Sequence, residues 1–284
     1  MSSSNTTPWA LFDMNNLIWK TFHATKGTLD RDGSGVGAIY AAMLSAVSTM
    51  RSLGSTRAVW CFDVGGETTR RASILPGYKS TRKANAKAEA IADPEMAQAK
   101  ADVMRMTDKL RASMIALKMC VVGEPGIEAD DLLARAAADI DEKGEEGYIV
   151  STDEDMYQCL SPRISVVRTN AKIPVYGATQ LMEEFGIGPD RWHLVKAIAG
   201  CKGDDVPGVE GAGDKTAAKY IAGTLPTHHK IYTKIKDATE EWTARLPLVE
   251  LPWDGTPLPN FERAKNTMKK LQKLYDQWGF QWQA

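Results

Sequence analysis

Short apolar runs alternate with longer amphipathic stretches over about the first 150 residues of the chain. Four of these runs are bounded by turn residues and have the length of buried strands, at residues 9–13, 57–62, 119–122 and 148–150. Between them, apolar side chains recur at helical spacing, for example from residue 36 to 53 and from Pro94 to about Lys118. This alternation predicts an α/β fold with a mostly parallel central sheet flanked by helices, and a ligand site beyond the carboxyl ends of the strands.

The chain departs from this alternation in two places. Residues 80–92 are mostly Ala, Lys, Arg and Glu, so they can form a helix but have no apolar face to bury. After about Tyr176, helical segments and Gly/Pro turns dominate and no strong strand pattern remains. We therefore predict a core at residues 8–176 that includes a protruding basic segment at about 76–95, followed by a mainly helical region at 177–284.

Composition narrows the class of protein but leaves its partner open. With 284 residues, 43% of them hydrophobic, the chain can bury a sizeable core, and no apolar stretch approaches the length of a membrane span. The four cysteines lack C-x-x-C spacing and the N-terminus is polar, so we predict a cytoplasmic protein without zinc sites or disulfides. The net charge of -1 is compatible with binding nucleic acid, because residues 70–87 hold six Lys or Arg and no acid.

Eight carboxylates follow or closely trail apolar runs, in small groups. If those runs are neighbouring parallel strands, the carboxylates meet at one edge of one sheet. Like charges repel at such short range, so a cluster of this kind persists around cations and indicates a divalent-metal site for chemistry on phosphates. The eight residues are Asp13, Asp63, Glu128, Asp130, Asp131, Asp153, Asp155 and Asp204.

Two of these groups carry the sharpest local signal. The acidic run beginning at Glu128 opens a predicted helix, whose dipole stabilises negative charge at that end. Glu128 and Asp131 share one helix face and can point at one ion, while Asp130 turns aside or serves another. Asp153 and Asp155 can both reach a metal from the loop after the fourth strand. The alternatives are an ordinary acidic helix start for the first group and an N-capping Asp153 for the second.

A glycine-rich segment at residues 200–217 is typical of a phosphate-binding turn. Its glycines leave backbone N–H groups accessible, and a helix predicted to begin near Asp214 adds the positive end of its dipole. Such a device holds a sugar-phosphate backbone without reading its sequence, and a structural turn between helices is the alternative. The residues concerned are Gly208, Gly211, Gly213, Lys215 and Lys219.

In order and spacing, these motifs resemble those of the 5′-nuclease family. This family comprises flap endonucleases and 5′-3′ exonucleases, including bacteriophage members and the 5′-nuclease domain of bacterial DNA polymerase I. The resemblance runs from Trp9 to about Ile221 and implies a PIN-like core with a helical arch and a helix–three-turn–helix segment. The matching motifs are Asp13, Phe62-Asp63, Arg70-Arg71, Tyr78-Lys79-Ser80-Thr81-Arg82, Glu128-Ala129-Asp130-Asp131, Ser151 to Asp155, and residues 200–217.

The resemblance implies metal-dependent hydrolysis of DNA near 5′ ends, in replication or repair. Lys79 and Arg82 would be catalytic, by stabilising charge on the phosphate. Two Mg²⁺ or Mn²⁺ ions are expected. The tighter ion would be held by Asp13, Asp63, Glu128 and Asp130 or Asp131, and the second by Asp131, Asp153, Asp155 and Asp204.

Contacts with DNA are implied for the basic segment and the glycine-rich segment. The expected substrates are 5′ flaps, nicked or gapped duplexes and RNA–DNA hybrids, with K⁺ bound at the helix–three-turn–helix and a base stacked on Tyr78. The expected DNA-binding residues are Arg70, Arg71, Tyr78, Lys83, Gly208, Gly211, Gly213, Lys215 and Lys219.

Two positions depart from the family pattern. The first aspartate of its glycine-rich segment is Cys201 here, and the asparagine after Asp204 is Asp205. The second metal site is therefore expected to lack one direct or water-mediated ligand, which would weaken the activity or make it more dependent on metal, unless Asp205 compensates. A non-catalytic structure-specific DNA-binding protein is one alternative function. The other is a PIN-type ribonuclease, against which the glycine-rich segment argues.

The last residues of the chain are rich in aromatic side chains. Trp278, Phe280 and Trp282 could anchor a replication partner if they were exposed. Large aromatic side chains are buried more often than not, so we favour packing of these three against the core.

Overall fold

A six-stranded sheet is the centre of the fold. The computed structural model describes residues 7–25, 34–65, 69–168 and 175–282. The strands lie in the order β3-β2-β1-β4-β5-β6, and all neighbours are parallel except β5 and β6. The predicted mostly parallel sheet is confirmed. The strands are β1 Trp9–Asp13, β2 Arg57–Cys61, β3 Val121–Val122, β4 Gly147–Val150, β5 Ile164–Val167 and β6 Val175–Tyr176.

Helices connect the strands and, together with turns and loops, form the described chain after β6. Those before β6 are α1 Met14–Ala24, α2 Gly37–Ser52, α3 Arg70–Ile74, α4 Ser80–Ala92, α5 Pro94–Ala116 and α6 Ala129–Glu142. Those after it are α7 Ala178–Phe185, α8 Trp192–Ala199, α9 Asp214–Ile221, α10 Lys230–Asp237, α11 Thr239–Thr243, α12 Leu246–Val249 and α13 Thr267–Trp278. Short 3₁₀ helices span Glu154–Cys159, Pro189–Arg191, Lys202–Asp204 and Phe261–Ala264.

Both faces of the sheet are buried. Successive side chains of a strand point to opposite faces. Leu11 accordingly packs in the core beneath α6 and α8, whereas Phe12 packs in the core beneath α2, α5 and α13. Phe12 also stacks on Trp60 with ring centroids 4.7 Å apart. Helices on both faces leave the carboxyl edge of the strands as the open side of the sheet.

Two strands were not predicted from the sequence. Strand β5 has four residues and β6 has two. They form because β5 pairs with β4, and β6 then pairs with β5. Helix α4 matches its expectation, since none of its side chains is buried. The division into a core and a helical region stays a prediction.

The C-terminal aromatic side chains pack against the core, as favoured above. Trp278, Phe280 and Trp282 all contact the core cluster beneath α2, α5 and α13. The indole N–H of Trp278 donates to the Ser113 hydroxyl at 3.3 Å, and the Phe280 ring lies 4.9 Å from that of Tyr40. A role for these three as an exposed partner anchor is therefore not supported. Separately, none of the described helices is both long and apolar enough to span a bilayer.

Candidate metal and nucleic-acid site

Three neighbouring strands bring carboxylates to one edge of the sheet. Asp13 ends β1, Asp63 follows β2 and Asp153 follows β4. Because β2, β1 and β4 are adjacent and parallel, these chain positions lie side by side. Asp130 joins them from the first turn of α6. We call these four residues the inner carboxylates.

Asp13 is held from both sides of its strand. One carboxylate oxygen accepts a hydrogen bond from the Asn16 backbone N–H at 3.0 Å, and the other accepts one from the Ser151 hydroxyl at 3.1 Å. The residue is only 5% exposed. Burial, reinforced by the charges of Asp63 and Asp153, raises the pKa of Asp13 to about 7, although both hydrogen bonds act in the opposite direction.

Two asparagines in the first turn of α1 tie the strand ends together. Asn15 Oδ1 accepts the backbone N–H of Asp63 at 3.0 Å. Asn16 Oδ1 accepts the Thr152 hydroxyl at 3.0 Å and the Thr152 N–H at 3.3 Å. Sequence reasoning missed both asparagines, and it included Ser151 only as the first residue of a matching motif, without a role. The available signal for the asparagines was a polar pair one residue after the strand that ends in Asp13.

The remaining inner carboxylates are also crowded. Asp63 accepts the backbone N–H of Ala129 at 2.8 Å, which places it against the positive end of α6. Loss of hydration raises its pKa. The pKa of Asp130 is raised well above the ordinary value by burial and then by the charges of Asp153, Asp13 and Asp63. Burial followed by the charge of Asp155 raises the pKa of Asp153.

The inner carboxylates differ from the acids around them in their ion pairs. No ion pair among the described residues includes Asp13, Asp63, Asp130 or Asp153. The other four predicted ligands each pair with a Lys or Arg side chain, and we call them the outer carboxylates. They are Glu128, Asp131, Asp155 and Asp204.

The raised pKa of Asp13 predicts a pH-dependent stability in the absence of metal. The folded chain binds a proton at Asp13 more tightly than the unfolded chain, whose ordinary value is 3.8, so stability falls as pH rises toward and through about 7. For this one group we expect a loss of about 1.4 kcal/mol between pH 6 and pH 8. Urea unfolding in EDTA at both pH values should show a steeper loss in the wild type than in Asp13→Asn. Equal slopes would contradict the assignment.

Arg71 is the common partner of two outer carboxylates. Its guanidinium donates to both oxygens of Asp131, at 2.6 and 2.9 Å, and to Glu128 at 3.0 Å. Arg71 is 4% exposed and Asp131 is 2% exposed. Glu128 precedes α6 in an extended conformation and Asp131 lies in the first turn of that helix; both contact Arg71, where the sequence suggested a metal ion. Arg71 was expected to contact DNA, and its burial leaves it no surface for that contact.

Tyr78 and Lys79 lie against Glu128. The Tyr78 hydroxyl donates to Glu128 at 2.8 Å and approaches Asp204 at 3.3 Å, while its ring is enclosed and the residue is 5% exposed. The predicted stacking of a base on Tyr78 therefore does not fit this position. The Lys79 ammonium pairs with Glu128 and lies 3.6 Å from Asp204. Burial opposes ionisation of Glu128, but Lys79 and Arg71 outweigh it and lower its pKa.

Lys196 was not predicted, and it occupies the region of the expected second metal. Its ammonium lies 3.1 Å from Asp155 and 3.9 Å from Asp214. The Cys201 thiol lies 3.6 Å from the nearer Asp155 oxygen. Burial and then Asp155 raise the pKa of this thiol, so the free group is neutral here. In the sequence, Lys196 looked like a polar interruption of an apolar helix, and nothing local marked it as part of the site.

The glycine-rich segment forms a tight turn before α9. A Cβ on Gly208 would lie 2.0 Å from the carbonyl oxygen of Ala199, so only glycine fits there. Gly211 has a φ of 86°, and Gly213 precedes the first residue of α9. The predicted helix start near Asp214 is confirmed. The phosphate-facing lysines of the prediction, Lys215 and Lys219, are both exposed on α9.

The carboxylates at this edge of the sheet are better placed to bind a hydrated divalent cation than a cation without its waters. Among the described residues, no three His, Cys, Asp or Glu side chains are placed to hold one ion directly. The inner carboxylates nevertheless form a crowded acidic group that makes no ion pair in the described chain. Mg²⁺ retains several waters in protein sites, so carboxylates can hold it through those waters at separations too large for direct contact.

The chain matches known proteins over most of its length. The family described as 5′-3′ exonuclease, N-terminal resolvase-like domain, matches residues 8–186. The thermostable DNA polymerase I of Thermus aquaticus is 31% identical over 249 residues, which are 86% of this chain and 28% of that protein. DNA polymerase I of Mycobacterium tuberculosis is 28% identical over 217 residues, 75% of this chain and 22% of that protein. The chain therefore spans about a quarter of the length of these relatives.

Solved structures share the fold. The bacteriophage T5 5′-exonuclease with bound divalent zinc superimposes with a TM-score of 0.67 at 20% identity, covering 95% of this chain and 97% of that one. The bacteriophage T5 flap endonuclease, in a pseudo-enzyme–product complex with DNA and metal ions, gives 0.66 at 18% identity, with 95% and 98% covered. The expected PIN-like fold is confirmed by this likeness.

Proposed function

This chain belongs to the 5′-3′ exonuclease family, and we propose that it is a metal-dependent 5′-nuclease that hydrolyses DNA phosphodiester bonds near 5′ ends. The proposed substrates are 5′ flaps, nicked or gapped duplexes, and RNA–DNA hybrids. One observation carries the proposal. Four carboxylates from adjacent strand ends and a helix start lie together and form no ion pair in the described chain, although each of the four outer carboxylates is paired with a Lys or Arg.

Cation binding would remove the repulsion within this group. Burial and mutual repulsion raise the pKa of Asp13 and Asp130, so the chain alone stabilises their charged forms poorly. Two Mg²⁺ or Mn²⁺ ions would suit the site, the first near the inner carboxylates and the second near Asp153, Asp155 and Asp204. When bound, such ions polarise a phosphate and lower the pKa of a coordinated water.

Lys79 and Arg82 would act on the phosphate itself. Lys79 is held by Glu128 and Asp204 directly before α4, and its positive charge acts to lower the pKa of Asp63 and Asp130, against the larger effect of burial. Arg82 is exposed on the first turn of α4. Its positive charge acts to lower the pKa of Asp63 and Asp204, against the larger effect of burial. Preorganised cations at these positions would stabilise the negative charge that grows on phosphate oxygens in the transition state.

Substrate shape would be recognised by two exposed basic regions. Lys215 and Lys219 lie on α9, directly after the glycine-rich turn, and would hold the backbone of a duplex. Arg82, Lys83 and Lys87 lie on the exposed helix α4, where they would guide a free 5′ end. Arg70 contacts the Asp254 carbonyl at 2.8 Å and would lie beside that path. K⁺ at the glycine-rich turn stays a prediction.

A cleavage assay tests the proposal. The full chain would be incubated with 5′-flap DNA, nicked duplex and single-stranded RNA, each with Mg²⁺ and with EDTA. We expect cleavage near the 5′ end of the DNA substrates only when Mg²⁺ is present. Binding of branched DNA without cleavage would favour the non-catalytic alternative, and preferential cleavage of the RNA would favour a PIN-type ribonuclease.

Cys201→Asp is expected to strengthen binding of the second metal. The substitution adds a carboxylate beside Asp155, and the affinity of such sites rises with the number of charged ligands. We expect the Mg²⁺ concentration for half-maximal cleavage to fall about tenfold. Cys201→Ser is the matched control, because it changes the donor atom without adding charge. An unchanged Mg²⁺ midpoint in Cys201→Asp would exclude this position from the metal site.

A further inference from the structure

Helix α4 gains no stability from a buried face. It has 13 residues, and none of their side chains is buried. Helices of this length are marginal in water unless something outside the helix holds them. At its C-terminal end, Glu89 pairs with Lys100 of α5. Whether the N-terminal end of α4, near Lys79 and Arg82, stays helical therefore depends on side chains from elsewhere in the chain.

Asp205 supplies the cap of this N-terminal end. Its carboxylate accepts the backbone N–H of Thr81 at 2.8 Å and interacts with further donors of Ser80 and Thr81. The first N–H groups of a helix have no partner within the helix, and a carboxylate is among their best acceptors. Lys79, the residue before the helix, has a φ of 57° and makes no side-chain cap. Its own N–H donates to the Asp204 carbonyl at 3.0 Å.

The loop that carries Asp205 is closed and joined to the glycine-rich turn. Cys201 and Val206 exchange two backbone hydrogen bonds of 3.0 and 3.1 Å. Gly200 approaches Gly208 so closely that a Cβ on Gly200 would lie 2.4 Å from the Gly208 nitrogen. Asp205 itself has a φ of 58°, a conformation that Asp and Asn adopt more readily than most residues. The loop and the turn therefore form one structural unit that contacts α4.

We propose that Asp205 is a positioning residue that couples duplex binding at the glycine-rich turn to ordering of α4. The inference rests on the proposed function, in which that turn holds the DNA backbone. Binding there would fix residues 200–208, and with them the carboxylate that caps α4. The capped helix then keeps Lys79 and Arg82 beside the inner carboxylates. Because coupling is reciprocal, an ordered α4 also raises the affinity of the turn for duplex.

Amide hydrogen exchange tests this coupling without requiring cleavage. Exchange would be measured over the first turn of α4 in EDTA, with and without a nicked duplex, in the wild type, Asp205→Gly and Asp205→Asn. Glycine tolerates the backbone conformation but lacks the acceptor, whereas asparagine retains an acceptor oxygen. We expect exchange about fivefold faster in free Asp205→Gly, as for a lost helix cap, and no protection by duplex. Asp205→Asn should resemble the wild type in both respects.

Glu142→Ala is the matched control, because it removes the same charge from an exposed position at the C-terminal end of α6, outside both α4 and the glycine-rich turn. Its α4 exchange should be unchanged. If the first turn of α4 exchanged at the wild-type rate in Asp205→Gly, the inference would be overturned. It would also be overturned if exchange in Asp205→Asn were as fast as in Asp205→Gly, because the negative charge, and not the hydrogen-bond acceptor, would then order the helix. Absence of wild-type cleavage would defeat the proposed function separately. A lower kcat in Asp205→Gly, together with weaker binding of the nicked duplex in EDTA, would support positioning.

Discussion

Replacing Asp13 by asparagine is expected to slow DNA cleavage by a factor of about a thousand or more, equivalent to about 4 kcal/mol of transition-state stabilisation. Asparagine can keep the local structure, because its oxygen can accept the Asn16 N–H and its amide can donate to the Ser151 hydroxyl. What is lost is one negative charge at the centre of the inner carboxylates. Single-turnover cleavage of a 5′-flap DNA at saturating Mg²⁺ measures the effect.

Asp108→Asn is the control for this substitution, since Asp108 is exposed on α5 away from the inner carboxylates. It should cleave at the wild-type rate. Duplex binding in EDTA should survive in Asp13→Asn, because the proposed backbone contacts belong to α4 and the glycine-rich turn. Cleavage by Asp13→Asn within tenfold of the wild type would remove Asp13 from the metal site.

The convergence of the inner carboxylates was accessible from the sequence because it follows from strand order. Apolar runs ending in Asp13 and followed by Asp63 and Asp153 predict parallel strands, and parallel strands place these positions at one edge. The structure confirms that β2, β1 and β4 are neighbours. The helical character and exposure of residues 80–92 also followed from composition alone, since the segment contains almost no large apolar side chain to bury.

The partners of individual charges were not accessible in the same way. Arg71 and Lys83 belong to one basic run, yet Arg71 is buried and Lys83 is exposed. The difference arises because Arg71 donates to the Leu248 carbonyl, 177 positions away in the chain. Lys196 was missed for a similar reason, since its pairing with Asp155 depends on how α8 packs against the loop after β4. Local patterns predict which side chains are charged, whereas tertiary packing decides which charges are neutralised.

Replacing Arg71 by methionine is expected to destabilise the fold by about 3–5 kcal/mol, the usual cost of breaking a buried ion pair by removing one partner. Asp131 would keep only the Trp253 N–H, at 2.8 Å, to stabilise its buried charge. Urea unfolding at pH 7 measures the loss. Under conditions where the variant remains folded, its affinity for duplex DNA should stay close to that of the wild type, because Arg71 has no exposed surface to contribute.

Two further variants decide between this structural role and the DNA contact that the sequence suggested for Arg71. Arg71→Met combined with Asp131→Asn should recover much of the lost stability, since the asparagine removes the unpaired charge but still accepts the Trp253 N–H. Lys83→Met, at an exposed position on α4, should lower DNA affinity without changing the free energy of unfolding. The opposite outcome would be a free energy of unfolding for Arg71→Met within about 1 kcal/mol of the wild-type value, together with weak DNA binding. The buried pairing with Asp131 would then not account for the presence of this arginine.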